Sequence, residues 1–339
     1  MGLLVALTLA GCVAPPSTVT PDLTTHASRS AEAIASATSS SPSASPEAPP
    51  ELTARDLRDA VDVSDIRAHL DALQRIADEN GGSRATGTTG FDASIDYVAE
   101  RLAAAGYDVT RQTFSVGDLT SVNLIVERAG AANDVIMVGA HLDSVEAGPG
   151  INDNGSGVAT LLVIAERLAE LPDPDSTLRF AFWGAEEGGP FGSAAYVDAL
   201  SPTELARIVA YLNFDMLGST NRIRFVYAED GAAEGSEAMT TLFTAYFEDE
   251  GLNWAPIDLA GHSDHGAFTT AGIPTGGLFS GGREPKTEAQ AAAFGGTAGA
   301  PADPCSDVAC DTIDNVDDAI LGEMANGVAH ALATLAGRN

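Results

Sequence analysis

The chain has 339 residues with 48 Asp+Glu against 17 Lys+Arg, a formal net charge of −31, and 45 % of its residues are apolar. A surface this acidic repels phosphate backbones and anionic headgroups, which excludes nucleic-acid binding. No apolar run reaches the ~18 residues that a bilayer-crossing helix needs, so the composition predicts a soluble, globular body.

In chain order, residues 1–12 form a short apolar stretch ending Leu9-Ala10-Gly11-Cys12. It has the length of the apolar region of a signal peptide, and its end resembles a bacterial lipobox, which predicts lipid attachment at Cys12. Residues 13–50 are almost entirely Ala, Ser, Thr and Pro. They hold too little apolar surface to offset chain entropy and read as a disordered tether. Residues 51–339 read as one folded domain. Its signals are a helix over 64–79 capped by Ser64, a helix over 90–105, and strands near 109–115 and 121–127. Val135-Ile136-Met137-Val138-Gly139 is wholly apolar, as a strand buried on both faces must be. A helix over 156–170 follows, then strands at 178–183, 210–214 and 224–227. A helix over 236–249, a strand at 273–279 and a helix over 316–336 complete the domain. This alternation predicts an α/β fold with a mixed, mostly parallel central sheet between helical layers.

Ligands bind beyond the carboxyl ends of strands in such sheets. The first buried strand runs into His141-Leu142-Asp143 and then Gly150-Ile151-Asn152-Asp153. The next runs into Glu186-Glu187, and the third into Asp215. Imidazole and carboxylate donors converging there suit Zn²⁺ or a neighbouring first-row ion, and their number points to two ions ~3.5–4 Å apart. Adjacent residues at a strand exit point in different directions. One of the Glu186-Glu187 pair can therefore hold metal while the other stays free as a general base. Glycines around Asp153 and after Glu187 allow the close turns this needs.

His141-Leu-Asp143-Ser, Gly150-Ile-Asn-Asp153-Asn-Gly-Ser-Gly157, Phe182-Trp-Gly-Ala-Glu186-Glu187 and Asn213-Phe-Asp215-Met together resemble the M28 family of di-zinc aminopeptidases, in particular its secreted streptomycete leucine-type members. Gly261-His-Ser-Asp-His265, Gly272-Ile-Pro-Thr-Gly-Gly-Leu-Phe279 and Gly295-Gly-Thr-Ala-Gly299 extend the likeness. The resemblance implies a zinc-exopeptidase type of fold and a single catalytic domain. It also implies metal ligation by His141, Asp153, Glu187 and Asp215, with Asp153 bridging. Glu186 would be the general base acting on a water activated by the two-metal centre, and Asp143 would orient the His141 imidazole.

The fifth family ligand is a histidine in a Cys-Tyr-His-x-x-Cys-Asp motif, where this chain reads Cys305-Ser306-Asp307-Val308-Ala309-Cys310-Asp311. The resemblance implies a Cys305–Cys310 disulfide, worth ~2 kcal/mol on the loop-entropy account. Asp307 stands where the histidine would be and is expected to ligate in its place. Four carboxylates then balance two divalent ions, so the hypothesis is lower Lewis acidity, with rate moved to higher pH or preference to harder ions. Ser306 replaces the tyrosine whose hydroxyl stabilises the oxyanion in the family, a donor whose removal typically costs ~10²–10³ in turnover.

The expectation is an exported metallo-aminopeptidase with two divalent ions, Zn foremost. It would be a monomer acting on peptides with a free N-terminus, touching membrane only through a lipid anchor at Cys12. It would be located at the extracellular face of the cell membrane, or secreted. The alternatives are a catalytically impaired binding protein on the same fold and a glutaminyl-cyclase-like acyltransferase.

Overall fold

The structure is a computed structural model that describes residues 51–337. The apolar leader with Cys12 and the tether over 13–50 lie outside the described residues. After Thr53 caps α1 (Ala54–Ala60), the longer α2 (Val63–Glu79) begins at Asp62, whose carboxylate accepts the Ser64 N–H at 2.7 Å. The cap is thus Asp62 rather than Ser64, because a carboxylate two residues earlier satisfies the free first-turn donor. α3 (Thr89–Ala104) leads into the hairpin β1 (Thr110–Val116) and β2 (Leu119–Arg128). Then follow β3 (Val135–His141), α4 (Ser156–Leu168), β4 (Thr177–Trp183), α5 (Phe191–Ala199), α6 (Pro202–Leu205), β5 (Ile208–Asp215) and β6 (Phe225–Tyr227). The last elements are α7 (Ser236–Asp249), β7 (Ala255–Ile257), α8 (His265–Thr270), β8 (Thr275–Phe279), α9 (Glu288–Phe294) and α10 (Asp318–Ala336). α1, α5, α6, α8, α9 and β7 span three to nine residues each, too short for a periodic pattern to show in the sequence.

The eight strands form one sheet in the order β1-β2-β4-β3-β5-β8-β6-β7. Its centre, β4-β3-β5-β8, is parallel, while β1, β2 and the β6–β8 contact are antiparallel. Alternate side chains of the central strands feed two helical layers. Ile136, Val138 and Ala140 of β3 and Leu178, Phe180 and Phe182 of β4 enter the larger core with α1–α4, α7 and α10. Val135, Met137, Ala181 and Trp183 face the smaller core with Tyr196, Tyr211 and Phe268. Each such chain is worth ~1.5–3 kcal/mol over exposure.

Gly139 sits at the crowded point of that second face. A Cβ there would lie 2.3 Å from Trp183 Nε1 and 2.5 Å from the Tyr211 hydroxyl. Because β3 leads to β4 on one side and β5 pairs on its other side, the strand order reverses at β3. The carboxyl ends of β4, β3 and β5 thus open side by side, the position at which this class of sheet binds ligands.

Candidate metal centre

His141 ends β3 almost wholly buried, and its Nε2 lies 3.4 Å from Asp153 Oδ1, 3.4 Å from Asp215 Oδ1 and 4.0 Å from Glu186 Oε2. His141, Asp153 and Glu187 each offer a donor atom within 4.8 Å of the others. Asp215 Oδ1 and Glu187 Oε1 are buried without a hydrogen-bond partner. Buried carboxylate oxygens left unpaired are costly unless a cation takes them. Converging imidazole and carboxylate donors with two such oxygens fit a divalent ion of the zinc type.

The loop that presents Asp153 is held by its neighbours. Gly150 has a left-handed φ of +63°, and a Cβ there would meet the Asp153 carbonyl at 2.4 Å. Asn154 donates to the Phe214 carbonyl (2.9 Å) and accepts the Met216 N–H (3.2 Å), tying the loop to the exit of β5. Asn152 likewise accepts the Gly218 N–H at 2.9 Å. The carboxylate of Asp311 receives the backbone N–H groups of Asn152 (2.8 Å) and Asp153 (2.9 Å), fixing the main chain of the loop from 158 residues away.

Asp143, expected to orient the imidazole, has its carboxylate 3.8 Å from His141 Nδ1, while its main-chain carbonyl is nearer, at 3.2 Å. The carboxylate instead accepts the N–H groups of Glu186 (3.0 Å) and Glu187 (3.4 Å), so it also positions the glutamate pair. Asp215 receives the Ser263 hydroxyl on Oδ2 at 3.0 Å, which leaves Oδ1 turned to His141. Asn213 in turn donates to Ser263 (2.9 Å) and to the Tyr227 hydroxyl (3.1 Å).

Cys305 and Cys310 are joined in a disulfide. Ser306 and Asp307, within its loop, flank the centre on the Asp153 side. Ser306 Oγ donates to Asp153 Oδ2 at 3.2 Å. Asp307 has a left-handed φ of +54° and pairs with Arg283 Nη2 at 3.3 Å. It is outside the His141–Asp153–Glu187 group, yet its charge adds to the burial that raises the pKa of both Asp153 and Glu187. His265, nearby in sequence to Ser263, spends Nε2 on Glu229 at 2.6 Å.

The electrostatics are those of crowded carboxylates. Burial, reinforced by Asp153, pushes Glu187 up to about 10 against the pull of His141. Burial also raises Glu186 well above the carboxylate range, with Asp264 and Asp215 adding to it. For His141, burial opposes the charge, but Asp215 and Glu186 overcome it and hold the imidazole well above its ordinary value. Asp311 is pushed up to about 7 by burial. A bound divalent cation inverts this pattern, stabilising every ionised carboxylate around it.

Two contributors, Asp311 and Ser263, lie inside the Cys305–Asp311 and Gly261–His265 stretches with no role legible from them, and a third, Arg84, carries no sequence signal. Asp311 acts through backbone donors, Ser263 through one oxygen of Asp215, and Arg84 through carbonyls alone. Arg84 is fully buried and donates to the carbonyls of Leu142, Pro149 (2.9 Å) and Gly150 (2.6 Å), pinning the loop between His141 and Asp153.

An eight-stranded mixed sheet with histidine, aspartate and glutamate gathered where its parallel strands end defines an α/β protein of the zinc-exopeptidase type. Residues 123–332 match peptidase family M28, and the chain belongs to that family. Leupeptin-inactivating enzyme 1 of Streptomyces exfoliatus is 44 % identical over 81 % of this chain and 62 % of its own length. Probable lipoprotein aminopeptidase LpqL of Mycobacterium tuberculosis is 42 % identical over 68 % of this chain and 49 % of its own length. Among solved structures, BSAP, a zinc aminopeptidase from Bacillus subtilis, matches with a TM-score of 0.55 at 29 % identity, over 65 % of this chain and 51 % of that one. The chain spans only 49–62 % of the length of these two curated relatives.

Proposed function

We propose that the chain is a metal-dependent aminopeptidase that hydrolyses the N-terminal peptide bond of peptides. The observation that carries the reading is the convergence of His141 Nε2 with Asp153 and Asp215, beside an unpartnered Glu187 oxygen and a separate carboxylate, Glu186, 4.0 Å from the same nitrogen. His141, Asp153 and Asp215 would hold one divalent ion, and Asp153, Glu187 and Asp307 a second. Zinc suits the donors, and the similar Bacillus subtilis protein is a zinc aminopeptidase. When bound, the ions supply Lewis acidity toward water and toward the scissile carbonyl oxygen.

Glu186 moves the proton. It takes one from the attacking water as the new C–O bond forms at the carbonyl carbon, then delivers it to the departing amine as the C–N bond breaks. Asp143 holds Glu186 in place through its backbone N–H. The surrounding carboxylates, Asp264 among them, make a negative pocket that receives the protonated amine of a free N-terminus. The relatives named aminopeptidases support the reaction class. The lipobox-like Leu9–Cys12 and the relative named a lipoprotein support export and anchoring at Cys12.

Leucine p-nitroanilide and its N-acetylated form test the reading. The free amine is expected to be cleaved in a chelator-sensitive reaction and the acetylated compound to be inert. Equal cleavage of both would exclude an aminopeptidase.

A further inference from the structure

The two halves of the centre are not equivalent. On one side His141 Nε2 faces Asp153 Oδ1 and Asp215 Oδ1, each at 3.4 Å, and the Asp215 oxygen has no hydrogen-bond partner. A hydroxyl already engages a carboxylate on each side, Ser263 on Asp215 Oδ2 at 3.0 Å and Ser306 on the shared Asp153 Oδ2 at 3.2 Å. Glu187 Oε1 is as unpartnered as Asp215 Oδ1. What sets the second side apart is a fixed cation, Arg283, paired with Asp307 Oδ2 at 3.3 Å.

Arg283 does not meet Asp307 by chance. Its Nε and Nη2 both donate to the Ser306 carbonyl, at 3.0 and 2.8 Å, so the guanidinium is seated across the 306–307 peptide. Asp307 itself is held in a left-handed backbone conformation within the five-residue disulfide separation of Cys305 and Cys310. A planar fork fixed by two hydrogen bonds gives up little further entropy on pairing with a carboxylate. A divalent ion approaching Asp307 meets a cation in place and a ligand whose charge is partly neutralised.

Resting on the metallopeptidase reading above, we propose that Arg283 is an internal competitor for the second metal position. It pairs with Asp307 when metal is scarce and yields it when metal is abundant. The position formed by His141, Asp153 and Asp215 then fills first, and the one formed by Asp153, Glu187 and Asp307 fills only at higher free metal. Occupancy of the second position becomes a reading of the free-metal supply. The side chains of Arg283 and Asp307 are 54 % and 35 % exposed, so water screens the competition and its size is modest, roughly tenfold in affinity.

The test is calorimetric titration of the metal-stripped full chain with Zn²⁺, with thermal melts confirming that each variant is folded. The wild type is expected to bind one equivalent tightly and a second at least roughly tenfold more weakly. Arg283→Gln should tighten the second equivalent roughly tenfold and leave the first unchanged, while Arg283→Lys, which keeps the charge but loses the fork that seats it, should tighten it by less. Asp307→Asn should weaken the second equivalent and make Arg283→Gln silent in the double variant. Two equal equivalents in the wild type, a second equivalent indifferent to Arg283→Gln, or one indifferent to Asp307→Asn would each overturn this inference while leaving the metallopeptidase reading standing. A wild type that binds no equivalent would overturn both.

Discussion

Asp311 controls the centre without facing it. Its two oxygens receive the N–H groups of Asn152 and Asp153, and Asn315 donates to it at 3.2 Å. Asp311→Asn replaces one acceptor by an NH₂ group facing a backbone donor. The expected outcome is a loss of ~1–3 kcal/mol of stability and a ~10–100-fold loss of metal affinity, measured by thermal melts and metal titration. The ligand candidates His141, Asp153, Glu187 and Asp215 stand out in the sequence because each follows a buried apolar run or a glycine turn. Asp311 and Ser263 sit in recognisable motifs and Arg84 in none, but the roles of all three stay illegible, because their partners are main-chain groups or single oxygens tens of residues away, and no spacing rule encodes those. Asp143 shows a finer limit. Its place two residues after His141 suggests an imidazole partner, but only the fold reveals that its carboxylate is taken up by the N–H groups of Glu186 and Glu187.

At the scale of elements, the parallel strands are the legible part. β3 and β4 are buried along their whole length, β3 reading as a continuous apolar run up to His141 and β4 as one broken only by Arg179, and their ends locate the site. The short helices are not legible, since fewer than three turns leave no period to detect. The contact that Gly139 makes across β3 is likewise visible only in the fold. Gly139→Ala forces a methyl into Trp183 Nε1 and the Tyr211 hydroxyl, two residues before His141. Neither ring can yield freely, because Trp183 donates to Tyr211 at 2.9 Å and Tyr211 stacks on Phe268 at 3.8 Å. The expected cost is ~1–3 kcal/mol in chemical denaturation, with metal affinity reduced as His141 shifts.

Over the whole molecule, the acid excess and the centre act together. In the metal-free fold Glu187 sits at about 10 and Asp264 and Asp311 at about 7, all raised first by burial, with Glu186 raised as well. Each keeps its proton in the fold where the unfolded chain has lost it, so the fold gains stability below the ordinary carboxylate range and loses it as pH rises through the folded values. His141, also raised, adds to that loss, while Asp215, held low by His141 despite its burial, contributes stability that is present above the ordinary carboxylate range and lost only in acid. Metal ligation needs ionised carboxylates and a neutral imidazole, so the metal-bound form escapes the penalty. Chelation is therefore expected to lower Tm more at pH 8 than at pH 5.5. An equal drop at both would contradict this assignment of the protons. Among the described residues no helix is long and apolar enough to cross a membrane.

The most direct measurement compares wild type with Glu186→Gln for two quantities at once: metal bound per chain and the rate of leucine p-nitroanilide hydrolysis. If Glu186 is the proton carrier proposed above, the variant is expected to keep the wild-type metal content and to lose ~10²–10⁴ in kcat. A variant that holds its metal and turns over substrate at the wild-type rate would contradict the role of Glu186 as that carrier.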